Sequence, residues 1–317
     1  MADEWPADGT SPRGPVAGKK HGSARSDRDD PSGLSPRTRA LRHFLRDPVG
    51  LVGCGLVLLM LTLAVLAPLI APYPPDKQFA RGINALGVPV APQWHLPGFF
   101  LGTDSLGRDL LSRIIWGARV SMEVGLIATA IAVSIGVFLG LLAATSSARW
   151  SNILMRFVDV MLAFPFYLFV MLLVSVVGHA STFVVILVLG VLGWPAMVRM
   201  VRGKAVLVRE EQYVEAAVAS GASKARIMFK HLLPNILPTI LVFASLTTST
   251  NIMAESGLSF LGLGVPPPTP SWGSMISEGL SVYQSAPWIL IFPGIALALA
   301  MLGFNLLADG LNDALRT

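Results

Sequence analysis

Charge is what this chain has least of. Only 14% of its 317 residues are Asp, Glu, Lys or Arg, where a soluble domain carries about 25%. The deficit is uneven, because charge gathers in residues 1–48 and 199–230 and apolar runs fill much of the rest. Cysteine is nearly absent: Cys54 stands alone in an apolar run, which excludes an internal disulfide and reads as a small core residue. No G-x-x-x-x-G-K-[ST] loop occurs, so the chain lacks the usual backbone cradle for nucleotide phosphates. H-E-x-x-H, C-x-x-C and G-x-S-x-G are missing too. The five histidines (His21, His43, His95, His179 and His231) are scattered, none at metal-site spacing. The expectation is no catalytic centre and no metal.

What remains is apolar: 53% hydrophobic residues and a mean hydropathy of +0.63, the composition of an all-α polytopic membrane protein. Six segments approach the ~20 residues needed to cross ~30 Å of hydrocarbon: about 49–71, 119–144, 153–177, 181–200, 235–261 and 287–308. Gly178-His179-Ala180 alone separates the third from the fourth, which predicts a tight hairpin. Residues 1–40 hold almost no large apolar side chains and read as a disordered tail. Early acidic residues (Asp3, Glu4, Asp8) argue against a secretory signal, so 49–71 reads as a retained anchor.

The net charge of +5 is explained by topology and needs no nucleic-acid partner. Arg37, Arg39, Arg42 and Arg46 precede the first span, and Arg149 and Arg156 flank the second-to-third loop. Arg199, Arg202, Lys204, Arg209, Lys224, Arg226 and Lys230 crowd the loop before the fifth span. This bias puts both termini and that loop in the cytoplasm, and an even number of spans agrees. Pro165, Pro195, Pro234, Pro238 and Pro293 fall in or beside spans, where each kinks or ends a helix, for packing or for gating.

The loop before the fifth span is a polar island. Residues 203–233 read as two short helices around a turn, with Leu207, Val214, Ala217, Val218 and Gly221 near one face. Gly221 suits the left-handed position past the end of the first helix, and Ser223 can cap the second, Lys224–Leu233. Such an element either lies on lipid headgroups or docks a protein; the small side chains of Ala216, Ala217, Ala219 and Gly221 would allow close approach.

Three further features stand out. In 101–121, Asp104, Arg108, Asp109 and Arg113 lie close together, and Asp109 and Arg113 are spaced to pair on a helix. That segment is either an interfacial helix stitched by its own ion pairs or a protein contact. Residues 262–286, rich in Gly, Pro and Ser with Trp272 and no Lys or Arg, suit an ordered outer loop, as docking surface or lid. Asn251 and Glu255, one turn apart in the fifth span, are candidates for a solute path, although Glu255 could equally pair with a partner subunit.

The island carries a pattern. Glu215-Ala216-Ala217, three residues, Gly221, nine residues, then His231-Leu232-Leu233-Pro234 resembles the signature of permease subunits of bacterial ABC importers. The general pattern has Ile where this chain has His231, and the form H-x-L-P-N is similar to the peptide and nickel permeases. LGTDSLGRDLLSRIIWGARVS (101–121), ESGLSFLGLGVPPPTPSWGSMI (255–276) and PWILIFPGIALALAMLGFNLLADGLNDALR (287–316) match that family as well. The resemblance spans about 41–316 and is strongest to the second permease of the dipeptide/oligopeptide heterodimer.

The resemblance implies a type I ABC importer fold of six transmembrane helices, with coupling helices at about 203–233 in a permease domain of 41–317. It implies a second related permease, two cytoplasmic ATPase subunits that bind ATP and Mg, an extracytoplasmic solute-binding protein, and a place in the bacterial inner membrane. By position, Glu215, Ala216, Ala217 and Gly221 would make the ATPase contact, flanked by Arg209 and Tyr213, with His231 and Pro234 closing the motif. A carboxylate at such an interface makes strong charge-assisted bonds. The alternatives are a permease for nickel or another small solute, and an ion-coupled secondary transporter acting alone. The latter predicts paired intramembrane carboxylates and inverted repeats, of which the sequence offers few and none.

Overall fold

The computed structural model describes residues 42–94, 98–177 and 181–316. The expected tail, 1–40, and the expected Gly178-His179-Ala180 hairpin lie outside the described residues. The described residues form twelve α-helices. In chain order they are α1 (Pro48–Val65), α2 (Ala67–Ile70), α3 (Leu110–Thr145), α4 (Ala148–Ala163), α5 (Phe166–Val177) and α6 (Thr182–Leu192), then α7 (Trp194–Arg209), α8 (Gln212–Ala219), α9 (Lys224–Arg226), α10 (Leu233–Phe260), α11 (Trp272–Leu280) and α12 (Trp288–Arg316). A wide helical turn over Ile227–Leu232 joins α9 to α10. Among the described residues the only β pairing is isolated bridges such as Gln78–Arg108.

The central element is α3. Its 36 residues run about 54 Å, well beyond the ~30 Å hydrocarbon layer. Asp109 starts it by accepting from Ser112 N at 2.8 Å. The sequence places this span at 119–144; the helix begins nine residues earlier because Asp109 is its cap, not a member of it. Small residues let neighbouring helices close on α3. A Cβ on Gly136 or Gly140 would collide with Met197 or Val201 of α7, and one on Gly125 with Ile252 of α10. Gly136 and Gly140, four apart on α3, make a small-xxx-small face on which Met197 and Val201 of α7, also four apart, seat closely. Helices α1 and α12 meet the same way, with Gly50 against the backbone of Gly310 and Gly53 against that of Leu306 and Leu307.

Five helical segments are long and apolar enough to cross a membrane, and a bent pair makes a sixth. That pair is the expected third span, which is not one rod: α4 and α5 meet at 85° across Phe164-Pro165. Pro195 behaves differently. It falls in the first turn of α7, where no donor is missed, and Gly193 N still donates to Leu189 O at 2.9 Å. Helices α6 and α7 therefore run as one 28-residue span, Thr182–Arg209. Pro238 and Pro293 lie inside α10 and α12 without ending them.

The far end of the bundle, opposite the island, is held by charge. Arg113 pairs with Asp104 (Nε–Oδ2 3.2 Å) and with Glu278 of α11 (Nη2–Oε1 3.2 Å), and Arg108 pairs with both acids as well. The expected Asp109–Arg113 pair does not form, because capping α3 occupies Asp109. Burial pushes the Asp109 carboxyl up, against its hydrogen bonds to Ser112. Residues 262–286 are an ordered cover built on α11, with Trp272 fully buried and its Nε1 donating to Ile114 O at 3.1 Å.

Two measurements test this packing. Gly136→Val should lower the thermal midpoint in detergent by the equivalent of about 1–3 kcal/mol, while Gly55→Ala, where a Cβ meets nothing, should leave it unchanged or raise it slightly. Glu278→Leu should cost about 1–3 kcal/mol, less than the ~3–5 kcal/mol for breaking a fully buried pair, since Glu278 remains partly exposed. A wild-type midpoint in Glu278→Leu would show that the two arginines do not need it.

Candidate functional site

The island begins where α7 ends. Arg209, the last residue of α7, donates from Nη1 to Ala144 O at 2.7 Å and so ties the ends of α7 and α3 together. The first of the two expected short helices is thus divided: 203–209 belong to the span, and α8 starts only at Gln212. Leu207 and Val218, expected to share one face with Val214, are 61% and 50% exposed. Val214 is the one fully buried residue of α8, set among Leu141, Ala144, Val201, Met228 and Leu232. Glu215, Ala216, Ala219 and Gly221 face outward, and Ala217 is partly covered.

The end of α8 is closed as the sequence predicts. Gly221 has φ +81°, a left-handed conformation that side chains resist. Gly221 N donates to Val218 O at 2.9 Å and Ala222 N to Ala217 O at 3.0 Å, the paired bonds of a Schellman ending. Ser223 then caps α9 by accepting from Arg226 N. Between α7 and α8 lies a groove of about 510 Å³, lined by Val206, Arg209, Glu210, Glu215, Val218 and Ala219. Two carboxylates, Glu210 and Glu215, and one guanidinium, Arg209, line it, so the groove carries a net negative charge. That chemistry suits a partner's basic side chain.

Tyr213, on α8, meets His231 in the turn that leads to Pro234 and α10. The Tyr213 and His231 rings lie 6.2 Å apart, and Asn235 Nδ2 lies 2.9 Å from Tyr213 Oη and 2.6 Å from His231 O. Partial burial and the charge of Glu211 push the Tyr213 hydroxyl pKa up. Asn235 has no role that the sequence alone would assign; only the fold brings it to Tyr213, 22 residues away. Glu278 escapes sequence reasoning for the same reason, being 165 residues from Arg113.

Asn251 and Glu255 sit elsewhere, on the face of α10 turned to α3. Asn251 Nδ2 donates to Thr129 Oγ1 at 2.9 Å. Glu255 is fully buried; Ser121 donates to its Oε2 at 2.9 Å, Ser259 to its Oε1 at 2.7 Å, and Ser256 to Oε2 at 3.4 Å. Ser259 Oγ in turn accepts from Val265 N, so Glu255 also holds the start of the cover formed by 262–286.

Known proteins resemble this chain. A family model for the inner membrane component of binding-protein-dependent transport systems matches residues 136–317, and one for the N-terminal transmembrane domain of oligopeptide transport permease C matches residues 35–87. The dipeptide transport system permease protein DppC of Alkalihalophilus pseudofirmus is 37% identical over 290 residues, 90% of this chain and 91% of that one. The glutathione transport system permease protein GsiD of Pectobacterium atrosepticum is 38% identical over 286 residues, covering 90% and 92%. The oligopeptide transport system permease protein OppC of Bacillus subtilis is 38% identical over 276 residues, covering 87% and 88%. Among solved structures, a chain of the methionine ABC transporter MetNI in inward-facing conformations superposes with a TM-score of 0.54 at 19% identity, covering 64% of this chain and 95% of that one. At that identity the likeness speaks to fold alone. With a family model over more than half its length and relatives of this identity along nine-tenths of it, the chain belongs to the inner membrane components of binding-protein-dependent ABC transport systems.

Proposed function

We propose that this chain is one of two related permease subunits of an ATP-driven importer that carries di- or oligopeptides, delivered by an extracytoplasmic solute-binding protein, across the bacterial inner membrane. Both termini and the island face the cytoplasm, in keeping with the Lys and Arg bias of the loops. Helix α8 seats on a cytoplasmic ATPase subunit; two such subunits bind ATP and Mg, and this chain supplies no nucleotide site of its own.

The observation that carries the reading is the asymmetry of α8. One apolar residue, Val214, pegs it to its own bundle, while Glu215, Ala216, Ala219 and Gly221 are presented outward around an acidic groove. A helix so weakly tied to its own chain, with its small residues outermost, is shaped for a second protein's surface. The peptide cargo rests on the relatives, whose names speak of dipeptides, oligopeptides and glutathione. Asn251 and Glu255 enter this reading as the pair that fastens α10 to α3. They would meet a solute only when those two helices part.

The test uses the complete importer in lipid vesicles with a labelled dipeptide. Glu215→Ala removes an outward carboxylate, and Gly221→Pro removes the left-handed turn, since proline is fixed near φ −65°. Each should reduce uptake about tenfold or more while the helical circular dichroism of the spans stays unchanged. Normal uptake by both variants, or uptake by the purified chain alone down an ion gradient, would contradict the reading.

A further inference from the structure

The joint between α8 and α10 contains a weak backbone and a side chain that bridges it. Over Ile227–Leu232 the helix widens, and Leu233 N donates to Met228 O, five residues back instead of four. Pro234 comes directly after and has no N–H to give. The backbone ladder is thus thinned just where α10 begins. A push from α8 on such a joint would be absorbed by bending unless something stiffened it.

Asn235 is placed to do that. Its amide nitrogen lies 2.6 Å from His231 O, on the near side of Pro234, and 2.9 Å from Tyr213 Oη on α8. The orientation of this amide is set by chemistry: a carbonyl oxygen can only accept, so the group facing His231 O is the NH2, whose two hydrogens serve the two partners. The Tyr213 hydroxyl, accepting from Asn235, keeps its own hydrogen to donate, and Tyr213 is 48% exposed. The Tyr213 and His231 rings pack in the same place.

We propose that Asn235 is a positioning residue which splints the turn at 227–234 and clamps it to Tyr213, so that displacement of α8 carries α10 with it. From there α10 runs on to Glu255 and Ser259, which hold α3 and the outer cover. The clamp therefore sets how much solute movement results from each ATPase cycle. This rests on the reading of α8 as the ATPase-docking helix.

The measurement is labelled dipeptide moved per ATP hydrolysed, in the complete importer with its ATPases and binding protein. Tyr213→Phe removes only the hydroxyl. Asn235→Asp keeps the shape but sets a carboxylate against the His231 carbonyl, with no hydrogen to give. Both should lower the ratio by about threefold to tenfold, the range that one hydrogen bond spans, with Asn235→Asp the more severe. The double variant should be no worse than Asn235→Asp, because the two residues act as one unit. A wild-type ratio in Tyr213→Phe, or losses that multiply in the double variant, would overturn the clamp. Should Asn235→Asp fail to assemble, Tyr213→Phe decides alone. Failure of the unaltered chain to retain its ATPases would overturn the docking reading, and the clamp with it; retained ATPases with a wild-type ratio would overturn the clamp only.

Discussion

The Glu255 carboxyl is fully enclosed, and hydroxyls stand where water would otherwise be: Ser121 from α3, and Ser256 and Ser259 from its own helix. Leaving such a group unmet costs several kcal/mol in a membrane interior, so α10 is bound to α3 at this level. One turn away Asn251 repeats the attachment through Thr129, and Gly125 lets Ile252 sit against the α3 backbone between them. The other contacts are arranged around this seam: α7 closes on α3 at Gly136 and Gly140, and α11 is drawn in by Glu278. Through the turn at 227–232, α10 extends without a gap to the island, so the seam links the two ends of the molecule.

The two ends are held with very different strength. At the end away from the island, four charged side chains and a fully buried Trp272 fix the cover. At the island end, α8 rests on Val214 and on the hydrogen bond to Tyr213. Burying a valine contributes about 1.5–3 kcal/mol, and one exposed hydrogen bond about 1 kcal/mol or less. A helix with so few ties yields to a partner at small cost. A rod braced at its far end and lightly held at its near end suits a subunit that receives force instead of generating it.

Local rules made part of this legible in the sequence. The left-handed turn at Gly221 and the cap at Ser223 come from what those side chains can and cannot do, whatever surrounds them. The six apolar runs are likewise set by the thickness of the bilayer. Tertiary contacts decided the rest. Pro165 and Pro195 look alike in sequence, but one breaks a span at 85° and the other opens a helix, according to whether the next residues continue along the same neighbour. Asp109 and Arg113 have the spacing of an ion pair, but the cap of α3 claimed one and a distant glutamate the other. Periodicity groups Val214 with Leu207, Ala217, Val218 and Gly221 on one face. That Val214 would be the only fully buried residue of α8 depended on where α7 stopped.

The central claim is that α8 is covered by an ATPase subunit and is joined to α10. Hydrogen exchange, measured in the isolated chain and in the complete importer, reads both parts at once. The account predicts that amides of residues 215–222 exchange more slowly in the complex than in the isolated chain, with the added protection extending across residues 227–236. Equal exchange in the two states, or protection confined to α8 with the joint unchanged, would contradict it.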